Sequence, residues 1–234
     1  MEIKRRNMLI GALLFCIALF MIFGGMQYRE KVRYEKYISQ VLMDEIATFS
    51  SFAIQSRYYM DQVIYDRQLT KDQFDQLTES FTHIFNSGTT LSDLKDGLLK
   101  LKEGNRYERQ PSPFYMANSF NDFLLSLEKE FDNEHTLNLS EEHQEKFMLI
   151  YAVIFEWIKD VPNFIKGIND PFIMDHEDEG FVFNEMYRYY GDKMVKSNDW
   201  INFMNDIERA SKEFQLEVEQ AFGKLSMKRL SMNH

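Results

Sequence analysis

An all-α fold is predicted, with an N-terminal transmembrane helix continuing into a helical bundle whose first and last helices are long. Three observations predict it. No charged residue stands from Asn7 through Tyr28. From Ile38 onward apolar residues recur at spacings of three and four, the period of a helix with one buried face. No run alternates with period two for long enough to make a strand, and no self-similar period points to a repeat solenoid. The chain accordingly divides into a short basic tail (1–7), an anchor (8–26) and a single helical domain (27–234), irregular over 103–113 and 160–180.

The anchor is carried by Met8, Leu9, Ile10, Leu13, Leu14, Phe15, Ile17, Leu19, Phe20, Met21, Ile22 and Phe23. As a helix this stretch is long enough for a hydrocarbon core of roughly 30 Å. A cleaved signal peptide is the competing reading, because Lys4, Arg5 and Arg6 make a good basic n-region. The apolar stretch is too long for that, no A-x-A-like site follows, and Phe23 precedes Gly24-Gly25 as a bulky residue. Lipoprotein processing at Cys16 is disfavoured by Phe15 just before it. Cations flank both sides, with Lys4, Arg5 and Arg6 before and Arg29, Lys31, Arg33 and Lys36 after, so the positive-inside rule barely discriminates. A short basic tail ahead of a signal-anchor favours the N-terminus inside and the domain extracytoplasmic. Tyr28, Tyr34 and Tyr37 read as an interfacial belt or as a wet helix face.

The stripe Ile38, Val41 or Leu42, Ile46, Phe49, Phe52 or Ala53, Tyr59 or Met60, Val63 or Ile64 predicts a helix continuous with the anchor, and no Gly or Pro interrupts Gln27 to Arg67. Thr70-Lys-Asp-Gln73 has the spacing of a capping box and opens a helix through Phe74, Leu77, Phe81 and Phe85. Asn86-Ser87-Gly88 is read as its stop, with a shorter helix through Leu91, Leu94 and Leu98 after it. Pro113 suits the first turn of a helix carrying Phe114, Ala117, Phe120, Leu124, Leu127 and Phe131. Ser140 caps the next, with Glu141 and Glu142 at its positive end. A short helix from Glu185 to Tyr190 ends at Gly191, and Asp199 is the expected cap of the last helix. The first and last rods, 38–66 and 199–226, are both roughly 28 residues, or about 42 Å. Matched lengths predict that they pair antiparallel, returning the C-terminus towards the bilayer. There Lys224, Lys228 and Arg229 would meet headgroups, or simply complement the helix C-terminal dipole, the reading preferred.

Composition excludes several classes. A formal charge of −10 argues against nucleic acid as a partner. One cysteine, itself inside the anchor, excludes a disulfide scaffold, a multi-cysteine metal site and a cysteine nucleophile in the domain. Gly at 10 and Pro at 4 are too sparse for a turn-rich β-sandwich.

Among motifs, Asp175-His176-Glu177-Asp178-Glu179-Gly180 comes nearest to chemistry. Asp175, Glu177 and Glu179 fall at the first, third and fifth positions of a calcium loop and Gly180 at the sixth. Glu replaces the shorter ligands, and the twelfth position is Met186, with Glu185 one residue early, so the bidentate ligand is missing. An acidic loop feeding the next helix N-terminus is the simpler reading. Glu79 and His83 share a helix face, a spacing more often a surface hydrogen bond than a ligand pair. No nucleophile elbow, P-loop, dinucleotide fingerprint or H-E-x-x-H occurs, and no cofactor is expected. Arg57-Tyr58-Tyr59 and Tyr187-Arg188-Tyr189-Tyr190 combine aromatics with Arg, the composition of binding hot spots. A helix cannot bury three adjacent positions on one face, so each cluster should expose at least one Tyr. Asn138-Leu139-Ser140 is a glycosylation sequon.

These features predict a non-catalytic, single-pass membrane-anchored interaction domain, an adaptor or accessory subunit of a membrane complex, with a protein partner or a second copy of itself. The alternative is an extracytoplasmic ligand sensor that signals through a partner. An enzyme working by scattered carboxylates ranks third.

Overall fold

The computed structural model describes residues 2–103, 113–131, 135–168 and 183–223, with side chains from Leu13 and excepting 101–103. The first helix, α1 (Glu2–Asp66), is unbroken for 65 residues, about 98 Å at 1.5 Å per residue. The fold is a helical bundle built around its C-terminal half. From Ile38 to Val63 α1 buries Leu42, Met43, Ile46, Phe49, Ala53 and Met60, and few of its positions in this stretch are exposed.

A left-handed residue, Arg67 at φ 52°, ends α1. The chain passes through a short strand, β1 (Gln68–Thr70), into α2 (Lys71–Glu103). The capping box forms reciprocally: the Gln73 N–H donates to Thr70 Oγ1 at 3.2 Å, and the Thr70 N–H donates to Gln73 Oε1 at 3.0 Å. α2 runs back along α1, with Gln73 bonded to Gln62, Gln76 to Gln55, and the His83 ring stacked 4.0 Å from Phe52. β1 pairs antiparallel with β2 (Thr136–Asn138), Leu69 opposite Leu137. Three residues per strand are too few for an alternation to register in the sequence.

The expected stop at Asn86-Ser87-Gly88 is corrected, because α2 runs through it without a break. Gly88 is there for space. A Cβ on it would lie 2.2–2.6 Å from the Phe114 ring, which α3 (Tyr115–Leu127) brings against α2. Phe114 also meets Phe49 at 5.3 Å and the Trp157 ring of α4 (Glu141–Ile158) at 5.6 Å. Phe203, from the last helix, α7 (Asp199–Phe222), lies 5.8 Å from Phe49. Phe49 is therefore the point where four elements converge.

Ser140 caps α4 as expected, accepting the His143 N–H at 3.2 Å. α4 is antiparallel to α1, since the Arg57 Nε–H donates to the Tyr151 hydroxyl at 3.3 Å and Phe49 meets Trp157. The short helix α5 (Val161–Phe164) follows, and α6 (Asn184–Tyr190) ends at Gly191, φ 49°. Gly167, at φ +80°, seats against α6, where a Cβ would fall 2.5 Å from the Met186 nitrogen. A 3-10 segment, Gly191–Lys196, leads into α7.

The predicted antiparallel pairing of the first and last rods does not form. α1 packs chiefly on α2, the 3-10 segment and α4, whereas α7 packs chiefly on α4. The Trp157 indole N–H donates to Ser211 Oγ at 2.8 Å, and at the far end Phe222 meets Phe123, which meets Phe147. α7 is thus antiparallel to α4 and runs in the same sense as α1. It ends at Phe222, on the end of the bundle away from the apolar segment. Matched length does not choose a partner; facing apolar stripes do. Lys224, Lys228 and Arg229 lie outside the described residues.

Candidate interaction surface

From Leu13 to Met26 every side chain of α1 is exposed, and none of its apolar window is covered by the bundle. Leu13, Leu14, Phe15, Ile17, Leu19, Phe20, Met21, Ile22 and Phe23 all stand bare. Met8, Leu9 and Ile10 lie on the same helix, ahead of the described side chains. This helix is long and apolar enough to cross a membrane. Leaving so much apolar surface in water forfeits the roughly 25 cal/mol per Å² that burial supplies.

Between this stretch and the bundle lies a bare stem, residues 27–37, exposed apart from the partly covered Glu35. Tyr28, Tyr34 and Tyr37 project from it, each about two-thirds exposed. The bundle begins where the 3-10 segment closes on α1. Ser39 is fully buried, and its hydroxyl donates to the Asp192 carbonyl at 3.0 Å while accepting the Val195 N–H at 3.1 Å. Two ion pairs flank it, Lys196–Glu35 at 2.8 Å and Lys36–Asp192 at 3.5 Å. The Lys196 ammonium, with Lys31 nearby, holds the Glu35 carboxyl below its ordinary range. Nothing in the sequence announced this clasp beyond a Ser on an otherwise apolar stripe.

The tyrosine clusters divide between surface and structure. Tyr58 and Tyr189 are exposed, the latter 65%. Tyr59 is half-buried, with its ring 5.4 Å from that of Tyr58. Tyr190 and Tyr187 carry bonds within the fold, and of the two Tyr190 is buried. Tyr190 is only 4% exposed; its hydroxyl donates to Asp199 at 2.6 Å and accepts the Lys166 N–H at 3.0 Å, tying α6 to α7 and to the end of α5. Tyr187 is half-buried and donates to Asp44 at 2.7 Å. Burial first, then the carboxylate acceptor, pushes both phenols above their usual range. The expectation that Asp199 caps α7 is corrected: it is the first residue of the helix, its carboxylate engaged by Tyr190, and Asn198 before it makes no side-chain cap bond.

Asp175, Glu177 and Glu179 lie outside the described residues. Among the described residues no group of three or more His, Cys, Asp or Glu is placed to hold a metal ion. His83 sits 3.9 Å from Glu79 on the surface, stacked on Phe52. Asn138 of the sequon is exposed on β2. A polar groove of about 370 Å³ opens between α3, α4 and the end of α7, lined by Tyr115, Asp122, Phe123, Lys146 and Phe222. Lys95 is the one buried cation among the described residues; it meets Glu208 at 2.5 Å across α2 and α7.

Comparison with known proteins returns no match: no family model, no curated protein and no solved structure is significantly similar to the chain.

Proposed function

We propose that the chain is a single-pass membrane-anchored interaction domain, an adaptor or accessory subunit that presents a helical bundle at a set height above a bilayer. The observation that carries the reading is α1 itself. One unbroken helix supplies the bare apolar segment, the stem and the central element of the bundle. Attachment to the membrane through the core helix fixes the bundle's position in a way that a flexible linker would not.

The partner surface is drawn from exposed aromatics, with Tyr58 and Tyr189 beside Arg57 and Arg188. The N-terminus is placed inside and the bundle outside, on the short basic tail ahead of the anchor. The same unbroken helix favours, as second reading, a sensor that passes a shift in the bundle to a partner at the membrane.

The test is site-specific photo-crosslinking of the full chain in its native membranes. A crosslinker at Tyr189 should give a discrete adduct, and one at the buried Tyr190 none. Loss of adducts at both Tyr58 and Tyr189, with the chain migrating as a monomer, would overturn the interaction reading. Protease added to intact cells tests orientation: a C-terminal tag should be lost, and its survival until lysis would place the bundle inside.

A further inference from the structure

Folding brings two lysines from far along the chain to the foot of the bundle. Glu35, near the end of the stem, and Ser39, just after it, tie the 3-10 segment to α1. This places the exposed Lys193 and Lys196 at the same end of the molecule as Arg29, Lys31, Arg33 and Lys36. Glu30, Glu35 and Asp192 are the acids on this foot, which therefore carries a net +3. The whole chain carries −10. With +2 on residues 2–6 and +3 on the foot, the other described residues carry 13 Lys and Arg against 25 Asp and Glu, a net −12. Charge is segregated along the axis of α1, basic at the apolar segment and acidic beyond it.

Height decides whether such a foot can feel a bilayer. Glu35, the partner of Lys196, lies about 14 Å along the helix from Met26, the last residue of the apolar stretch. A headgroup layer occupies roughly 5–7 Å of that distance. The remainder is about one Debye length at physiological salt, roughly 8 Å. Arg29, Lys31 and Arg33 lie closer still. Glu35 and Asp192 are already subtracted in the +3, so their pairs with Lys196 and Lys36 leave the foot basic.

We propose that this foot is a docking surface for the anionic phospholipid headgroups of the leaflet that the bundle faces, with Lys193 and Lys196 as the part that exists only in the folded protein. The proposal rests on α1 crossing the bilayer and adds a lipid class to that reading. Charge complementarity and continuity with the apolar segment both point to this occupant. An anionic surface attracts the foot and repels the acidic remainder, so the bundle stands upright on its stem.

The experiment reconstitutes the full chain in phosphatidylcholine vesicles with traces of spin-labelled phosphatidylglycerol or spin-labelled phosphatidylcholine, and measures the motionally restricted lipid fraction. Phosphatidylglycerol should be enriched several-fold at physiological salt, and the enrichment should collapse at about 1 M salt. Each of Lys193→Gln and Lys196→Gln should lower it about twofold, the roughly fivefold effect of a cation at the surface attenuated across one Debye length. Lys193 is exposed, so its variant tests the idea even if Lys196→Gln loosens the clasp. A restricted fraction with no preference between lipids, or a preference unchanged in Lys193→Gln, overturns the proposal and leaves the span standing. No restricted fraction with either lipid overturns the span and the proposal together.

Discussion

Replacing Gly88 by Ala adds one methyl group to the middle of α2, and two effects then oppose each other. Helix propensity alone favours Ala over Gly by about 1 kcal/mol in a helix interior. The structure, however, puts the new Cβ 2.2 Å from Phe114 Cγ and 2.3 Å from its Cδ1, where carbon contacts need about 3.5 Å. The ring must retreat by more than an ångström. It has nowhere to go, because Phe114 is fully buried against Phe49 and Trp157. Overpacking of this kind costs roughly 1–3 kcal/mol, and a clash this deep belongs at or beyond the upper end. The net expectation is a loss of about 2 kcal/mol, a fall in melting temperature of roughly 4–8 °C for a domain of this size. Thermal unfolding of the full chain in mild detergent, followed by circular dichroism, reads it. Phe114→Ala should cost about 3–5 kcal/mol alone. The double variant should cost less than the two single losses combined, because the vacated ring makes room for the methyl. A Gly88→Ala protein more stable than the wild type would refute the packing argument and return Gly88 to the role of a simple helix weakener.

Three further outcomes follow from the same contacts. Thr70→Ala removes one half of the reciprocal capping box and should cost about 1 kcal/mol, read as a shift in denaturation midpoint at unchanged slope. Lys95→Met leaves Glu208 without its partner and should cost about 2–3 kcal/mol, discounted from a fully buried pair because Glu208 is partly exposed; adding Glu208→Leu should recover most of it. Glu35 has its carboxyl held below the ordinary 4.5, so what its pair with Lys196 contributes is present above that range and lost as pH falls through the lowered value. The protection factor of the Val195 amide should fall through that acid window in the wild type, and Lys196→Gln should abolish that fall.

Much of the architecture is written in local pattern. The Thr70–Gln73 box, the Ser140 cap and the Gly191 stop depend on residues within three or four positions of each other, and each formed as read. The unbroken rod through Gln27–Arg67 was legible for the same reason, since only a breaker would have ended it. What was not legible depends on a distant surface. Gly88 looks like a stop until Phe114 is placed beside it. The sense of α7 follows from which helix meets Phe203, Ser211 and Phe222, which length cannot reveal. At the candidate surface, Tyr189 and Tyr190 are adjacent in a motif that treats them alike, yet one faces solvent and the other spans a 2.6 Å bond to Asp199. The clasp at Ser39 joins residues more than 150 positions apart, beyond the reach of any spacing rule.

The central claim is that one helix is both the anchor and the core of the bundle. It is tested most directly by alkaline extraction of membranes carrying either the full chain or a chain beginning at Gln27. The full chain should stay with the membrane pellet. The shorter chain, which keeps every buried position of α1 from Ile38 onward, should be released and still unfold cooperatively. A full chain that is extracted, or a shorter chain that stays with the membrane or has lost its cooperative transition, would contradict it.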